Sequence, residues 1–133
     1  MKATKTKFIR EYPVNASAKL LYPYLSTPSG LSQWFCDDVT VDEDKIFNFV
    51  WDGRNHYAEM TNYRSNRSVR FLFLDENKQH TTDSTYIDFS IESSELTQEQ
   101  FLKVIDYSEG EDVEELSELW EHLLQKLREI VGG

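Results

Sequence analysis

The C-terminal stretch of residues 112–131 limits the possible folds of this chain more than any other feature. Apolar residues recur there at intervals of three and four: Val113, Leu116, Leu119, Trp120, Leu123, Leu124, Leu127, Ile130 and Val131. This spacing is typical of one face of a long amphipathic helix. Such a helix needs an apolar surface to cover, and the segments before it have strand patterns. The sequence therefore predicts a long helix packed against a sheet, with Trp120 buried at its centre.

Both ends of this helix carry suitable residues. Acidic side chains precede or begin it, namely Glu111, Asp112, Glu114 and Glu115. Lys126 and Arg128 lie near its end, where cations interact favourably with the helix dipole. Gly132 is a residue type that commonly terminates helices.

Strand patterns occupy most of the remaining chain. We predict strands at residues 5–12, 37–41, 46–51, 57–63 and 101–107, and two more around the alternating sets 69/71/73 and 87/89/91. In each set one face is apolar, as expected for a half-buried strand. Asp52-Gly53 is typical of a tight hairpin turn between two of these strands.

Two short helices are predicted between the first strand and the rest. Asn15 or Ser17 can cap the first, which extends to Leu25 and is kinked or shortened by Pro23. The second covers residues 29–35, with Pro28 suited to its first turn. The predicted fold class is α+β: one domain over residues 1–133, with a curved antiparallel sheet of about six to seven strands around the C-terminal helix.

Composition excludes some classes of partner. The chain has 133 residues and a net charge of −10, from 24 acidic and 14 basic residues. This charge argues against nucleic acid and against anionic membrane surfaces, both of which attract clustered lysine and arginine. Cys36 is the only cysteine, which suits a reducing compartment. With no apolar run long enough to span a membrane and no signal peptide, we expect a cytoplasmic protein.

The sequence contains no catalytic or cofactor motif. None of the three histidines, His56, His80 and His122, has other ligand types at metal-binding spacing. Cys36 lacks the pattern of a nucleophilic triad, and no glycine-rich phosphate loop is present. We therefore predict no metal, no cofactor and a non-enzymatic role.

Aromatic residues have two possible roles here, as plain core or as the wall of a pocket. The set comprises Trp34, Phe47, Phe49, Trp51, Phe71, Phe73, Phe89 and Trp120. In the last strand, an inward Lys103 would cost more than an inward Asp106, so we predict that Leu102, Val104 and Asp106 point inward. Asp106 could then bind a ligand, an indole or the start of the long helix. Asp88 is predicted to point outward.

Three segments carry a resemblance to a known family. They are Thr27-Pro28-Ser29-Gly30-Leu31 with Trp34-Phe35, then Phe49-Val50-Trp51-Asp52-Gly53, and finally Leu119-Trp120-Glu121-His122-Leu123-Leu124. Together with the order of elements, they make the chain similar to the START-like (helix-grip) superfamily. Within it the chain resembles the branch of the activator of the 90-kDa heat-shock-protein ATPase.

The resemblance implies two alternative functions. The first is to bind a small hydrophobic ligand in a pocket between the sheet and the C-terminal helix, with Trp34 and Phe35 at the mouth. The candidate pocket residues are Trp34, Phe35, Phe49, Trp51, Phe71, Phe89, Asp106 and Trp120. The second is a protein-interaction module related to chaperone ATPase activators, with no ligand cavity. The sequence does not indicate an oligomeric state.

Overall fold

A computed structural model describes residues 5–110 and 112–132. These residues form seven strands and four helices. The strands are β1 (Lys5–Val14), β2 (Asp38–Val41), β3 (Ile46–Trp51), β4 (Arg54–Arg64), β5 (Ser68–Phe73), β6 (Tyr86–Ser93) and β7 (Gln100–Glu109). The helices are α1 (Ala18–Leu21), α2 (Pro23–Ser26), α3 (Pro28–Leu31) and α4 (Val113–Val131).

The seven strands form one curved antiparallel sheet. Their order is β1-β7-β6-β5-β4-β3-β2, so β2 to β7 follow one another as a meander and β1 pairs with β7. The β3–β4 turn consists of Asp52 and Gly53, whose φ angles are 50° and 73°. Two positive φ angles are what a tight turn between twisted strands requires, and the predicted hairpin is confirmed.

Three short helices, not two, follow β1. The Ser17 hydroxyl accepts a hydrogen bond from the Leu20 N–H and starts α1, and Pro23 then begins the separate helix α2. The Thr27 hydroxyl accepts a bond from the Gly30 N–H and starts α3, with Pro28 in its first turn. The predicted helix at 29–35 is therefore wrong in its bounds. Helix α3 begins at Pro28, directly after the Thr27 cap, and ends at Leu31, and residues 32–35 form turns.

Gly30 allows α2 and α3 to approach closely. A Cβ atom at this position would lie 2.2 Å from the backbone oxygen of Pro23. Glycine is therefore required by space here, and not by an unusual backbone conformation. This contact folds the segment back so that Trp34 and Phe35 enter the core.

Helix α4 has the predicted ends. The Asp112 carboxylate accepts a hydrogen bond from the Glu114 N–H, and Gly132 ends the helix with a left-handed φ of 107°. Glu111 lies outside the described residues. Six residues of the stripe are buried: Leu116, Trp120, Leu123, Leu124, Leu127 and Val131. Val113, Leu119 and Ile130 stay partly exposed, so the apolar stripe is wider than the face that contacts the sheet.

The inward phase of β7 is the predicted one. Leu102, Val104 and Asp106 are all buried. Asp88 of β6 instead forms an ion pair with Arg70 of β5, whose Nε lies 3.0 Å from a carboxylate oxygen. Asp106 can point inward because its carboxylate accepts a hydrogen bond from the buried Trp120 indole.

Trp120→Ala should lower the free energy of unfolding by about 3–5 kcal/mol, the usual cost of emptying a large aromatic site. Trp120 is 1% exposed, and its ring centroid lies 5.8 Å from that of Phe35 and 5.9 Å from that of Phe89. Urea denaturation measures the change. Leu119→Ala is the control, since this neighbour is 50% exposed and should cost much less. A loss below about 1 kcal/mol for Trp120→Ala would contradict the anchoring role.

Candidate functional site

A cleft of about 930 Å³ lies at one end of the sheet, beside the first half of α4. Its walls come from the segment after α3, the turn region of β3 and β4, and the adjoining ends of β5, β6 and β7. These elements meet there because, in an antiparallel meander, the C-terminal ends of β3, β5 and β7 lie beside the N-terminal ends of β4 and β6. The cleft is open to solvent on one side.

Five of the eight predicted pocket residues line this cleft. They are Trp34, Phe35, Trp51, Asp106 and Trp120. The other three, Phe49, Phe71 and Phe89, lie farther along their strands and are fully buried in the core. The rings of Phe49 and Phe71 pack against each other with centroids 5.1 Å apart. The structure thus differs from the prediction, because strand alternation gives the face of a side chain but not its distance from the open end.

Trp34 and Phe35 form the inner wall of the cleft rather than its mouth. They are only 1% and 2% exposed. The Trp34 indole N–H donates a hydrogen bond of 2.8 Å to the backbone oxygen of Tyr24. The Phe35 ring lies edge-on to Trp51 at 5.1 Å and stacks on Trp120. This packing holds both residues inside, and the rim is formed by polar neighbours such as Gln33 and Asp37.

All three indole N–H groups have partners within the protein. Besides Trp34, Trp51 donates to the backbone oxygen of Phe35 at 3.0 Å, and Trp120 donates to Asp106 Oδ2 at 2.8 Å. A ligand therefore meets the apolar rings of these residues and not a free N–H donor.

Asp106 is the one buried charged residue among the described residues, at 6% exposure. Burial raises its pKa above the ordinary value of 3.8, while the Trp120 N–H and the nearby Ser108 hydroxyl act in the opposite direction. Ser108 Oγ is buried beside Asp106 and has no hydrogen-bond partner among the described residues. The Trp120 hydrogen bond uses one of the two carboxylate oxygens of Asp106, Oδ2.

His56 and several acids also line the cleft, and sequence reasoning assigned them no role. The His56 ring nitrogen Nδ1 lies 3.2 Å from the backbone oxygen of Phe49, and the ring is edge-on to Trp51 at 4.9 Å. If Nδ1 carries the proton, Nε2 remains as an acceptor. No local sequence pattern indicated a role for His56, because no other candidate site residue lies near it in the hairpin. Only the pairing of strands in the sheet brings it to the cleft.

The Cys36 thiol is not activated as a nucleophile. Burial raises the pKa of the Cys36 thiol to about 12, and the thiol donates to the backbone oxygen of Asp38. It therefore stays protonated and weakly nucleophilic at neutral pH. No group of three or more His, Cys, Asp or Glu side chains in residues 5–110 and 112–132 could hold a metal ion.

Comparisons with known proteins agree on the fold. A family model described as a START-like superfamily domain matches residues 2–133. No curated protein matches the sequence. In the part of the chain that the structure describes, no helix is long and apolar enough to cross a membrane.

Several solved structures are similar to this chain. The solution structure of the Aha1 dimer from Colwellia psychrerythraea has a TM-score of 0.71 and 20% identity, covering 95% of this chain and 96% of that one. BfR322 from Bacteroides fragilis has a TM-score of 0.60 and 32% identity, covering 100% and 94%. DynU16, a putative protein in the dynemicin biosynthetic locus, has a TM-score of 0.70 and 14% identity, covering 92% and 46%. At their low identities, the first and third show a shared fold alone.

Asp106→Asn should change the pH dependence of stability. Because the folded protein raises the pKa of Asp106, it binds this proton more tightly than the unfolded chain does. The stabilising contribution of Asp106 is therefore complete below its ordinary pKa of 3.8 and is lost as pH rises through the folded pKa. Asn keeps an oxygen acceptor for the Trp120 N–H but cannot ionise.

The measurement is the free energy of unfolding of both proteins at a series of pH values that begins below 3.8. Taking the difference between the two free energies at each pH cancels the contributions of the other acids. The wild-type value relative to Asp106→Asn should fall with rising pH and then level off. A difference that instead grows in favour of the wild type would show that the Trp120 hydrogen bond outweighs burial.

Proposed function

Because this chain belongs to the START-like superfamily, we propose that its cleft binds a small, mostly apolar molecule, without catalysis. The observation that carries the proposal is the cleft itself. Its volume of about 930 Å³ lies in the range typical of small-molecule sites, roughly 300–1,000 Å³. Its inner wall consists of aromatic rings.

The chemistry of the wall supports an apolar ligand body. Phe35, Trp51 and Trp120 contribute rings whose polar atoms, where present, are already bonded within the protein. Leu119 of α4, which is 50% exposed, adds aliphatic surface to the same cleft. Because Phe35 and Trp120 are already buried, a ligand removes apolar surface from water mainly at Trp51, which is partly exposed, and at Leu119. Removal of such surface from water is the main source of affinity in sites of this kind.

One polar position at the base of the cleft supports a ligand with a single hydrogen-bond donor. The Asp106 carboxylate lies there beside the buried hydroxyl of Ser108, which has no partner among the described residues. Buried polar groups without partners are costly, so a donor that reaches them gains more than it would at an exposed site. Ligand pockets commonly combine an apolar wall with a few such groups.

Leu119→Trp should weaken binding of decanol, a neutral apolar probe, by roughly tenfold. Leu119 lines the cleft and is 50% exposed, so a larger side chain would occupy ligand space without disturbing the core. Isothermal titration calorimetry measures the affinity. Ile130→Trp is the matched control, because it adds the same indole to an exposed position of α4 away from the cleft. Equal affinities in the two variants, or no binding to the wild type, would contradict the proposal.

A protein-interaction role is the second candidate, and the outer face of the sheet favours it. Ile9 of β1 is 49% exposed and lies opposite Ile105 of β7. The rings of Tyr86 and Tyr107 pair nearby with centroids 5.4 Å apart. Apolar side chains grouped on an exposed face can contact a partner protein. The fold that this chain shares with the Aha1 dimer also supports this candidate.

This second role predicts that the protein raises the steady-state ATPase rate of a 90-kDa heat-shock protein. Ile9→Asp should reduce the stimulation, because a charge on the outer face opposes burial against a partner. The variant should leave decanol binding in the cleft unchanged. An ATPase rate that does not respond to the wild-type protein would remove this candidate, whereas the cleft proposal would stand.

A further inference from the structure

Charged residues around the cleft are mostly acidic. Asp37, Asp52, Asp75, Glu76 and Asp106 line it, and among the described residues Lys126 is the one lysine or arginine that does so. The acids come from four separate parts of the chain, namely the segment after α3, the β3–β4 turn, the loop after β5, and β7. They surround an aromatic wall that excludes water on one side, and such a wall strengthens the field of the charges.

Within the part of the chain that the structure describes, none of these five acids forms an ion pair. The ion pairs in residues 5–110 and 112–132 involve other acids, namely Asp42, Glu59, Asp83, Asp88, Glu92 and Glu109. Asp37 and Asp75 accept hydrogen bonds from backbone N–H groups, which leaves their charge in place. The cleft therefore has an excess of negative charge that a ligand could balance.

Asp106 provides an independent indication of what the cleft would hold. Its side chain is buried, and its Oδ2 accepts a hydrogen bond from Trp120. The Ser108 hydroxyl beside it is also buried without a partner. An ammonium group carries three donors and no acceptor, so it can donate both to the Asp106 carboxylate and to the Ser108 hydroxyl. A ligand carboxylate would bring only acceptors to a site that already contains one.

The aromatic wall acts in the same direction. The faces of aromatic rings are electronegative and attract cations, most strongly in the case of tryptophan. Trp51 lines the cleft, is partly exposed, and lies next to the β3–β4 turn that contains Asp52. A cation held between this ring and the acids is favoured by both, whereas an anion is repelled by both.

We infer that the cleft selects ligands with an apolar body and a protonated amine over ligands of the same body that end in a carboxylate. This inference rests on the proposed function and specifies the ligand class for the same site. The amine lies toward Asp106 and Ser108, and the apolar body covers Trp51 and the exposed part of Leu119.

The test compares decylamine, decanol and decanoate, which share one apolar chain and differ in the charge of the head group. Each is titrated into the full chain at neutral pH below its micelle concentration, with isothermal titration calorimetry as the readout. Decylamine should bind more tightly than decanol, and decanol more tightly than decanoate. The difference between amine and carboxylate should be about tenfold or more, since the acids around the cleft attract the ammonium and repel the carboxylate.

Two variants locate the preference within the cleft. Asp106→Asn keeps the acceptor for Trp120 and removes the buried charge, so the affinity for decylamine should fall several-fold while that for decanol changes little. Asp52→Asn removes a rim charge at an exposed position with a φ of 50°, which asparagine tolerates. It should reduce decylamine affinity to a smaller extent. Asp44→Asn is the matched control, because it removes one charge from an exposed turn away from the cleft and should leave all three affinities unchanged.

The outcomes separate this inference from the proposed function. Decanol binding with no gain for decylamine would overturn the amine preference and leave the pocket in place. An equal loss of decylamine affinity in Asp44→Asn and in both cleft variants would also overturn it, since the effect would then reflect overall charge. Failure of all three compounds to bind would overturn the pocket and the preference together.

Discussion

The contact that the rest of the structure depends on is the burial of Trp120 between α4 and the sheet. Its ring packs against Phe35 and Phe89, and its N–H donates to Asp106. One side chain thereby joins the C-terminal helix to β6, to β7 and to the segment after α3. Ring packing supplies most of the stabilisation, because it removes a large apolar area from water. The hydrogen bond fixes the orientation, because an indole N–H left without a partner in this position would be costly.

This same contact connects stability to the cleft. Trp120 and Asp106 belong both to the core and to the cleft wall, so the wall is held by the packing that holds the fold. A buried carboxyl is costly to desolvate, and its raised pKa reflects that cost. An apolar residue of similar size would avoid this desolvation but would leave the Trp120 N–H without a partner. A carboxyl with a perturbed pKa at the base of a cleft is a feature that functional sites often share.

Much of the fold could be predicted because its causes are local in the chain. The bounds and caps of α4 follow from a stripe with helical spacing, from Asp112 and from Gly132. The Asp52-Gly53 turn follows from a dipeptide that tolerates two positive φ angles. The inward phase of β7 follows from the cost of burying Lys103. The bounds of α3 differ from the predicted 29–35, because apolar spacing does not distinguish the helix that ends at Leu31 from the turns at residues 32–35 that follow it.

The sequence by itself determined the α+β class, the long helix, the inward faces of the strands and the acidic net charge of −10. Each of these properties follows from a local periodicity in the sequence or from a sum over its residues. Only the tertiary structure decided that Phe49, Phe71 and Phe89 fill the core while Trp51 and Asp106 reach the cleft. It also decided that acids far apart in the chain line a single cleft. These outcomes depend on the curvature of the sheet and on where its strands end relative to α4, and no short stretch of sequence encodes either.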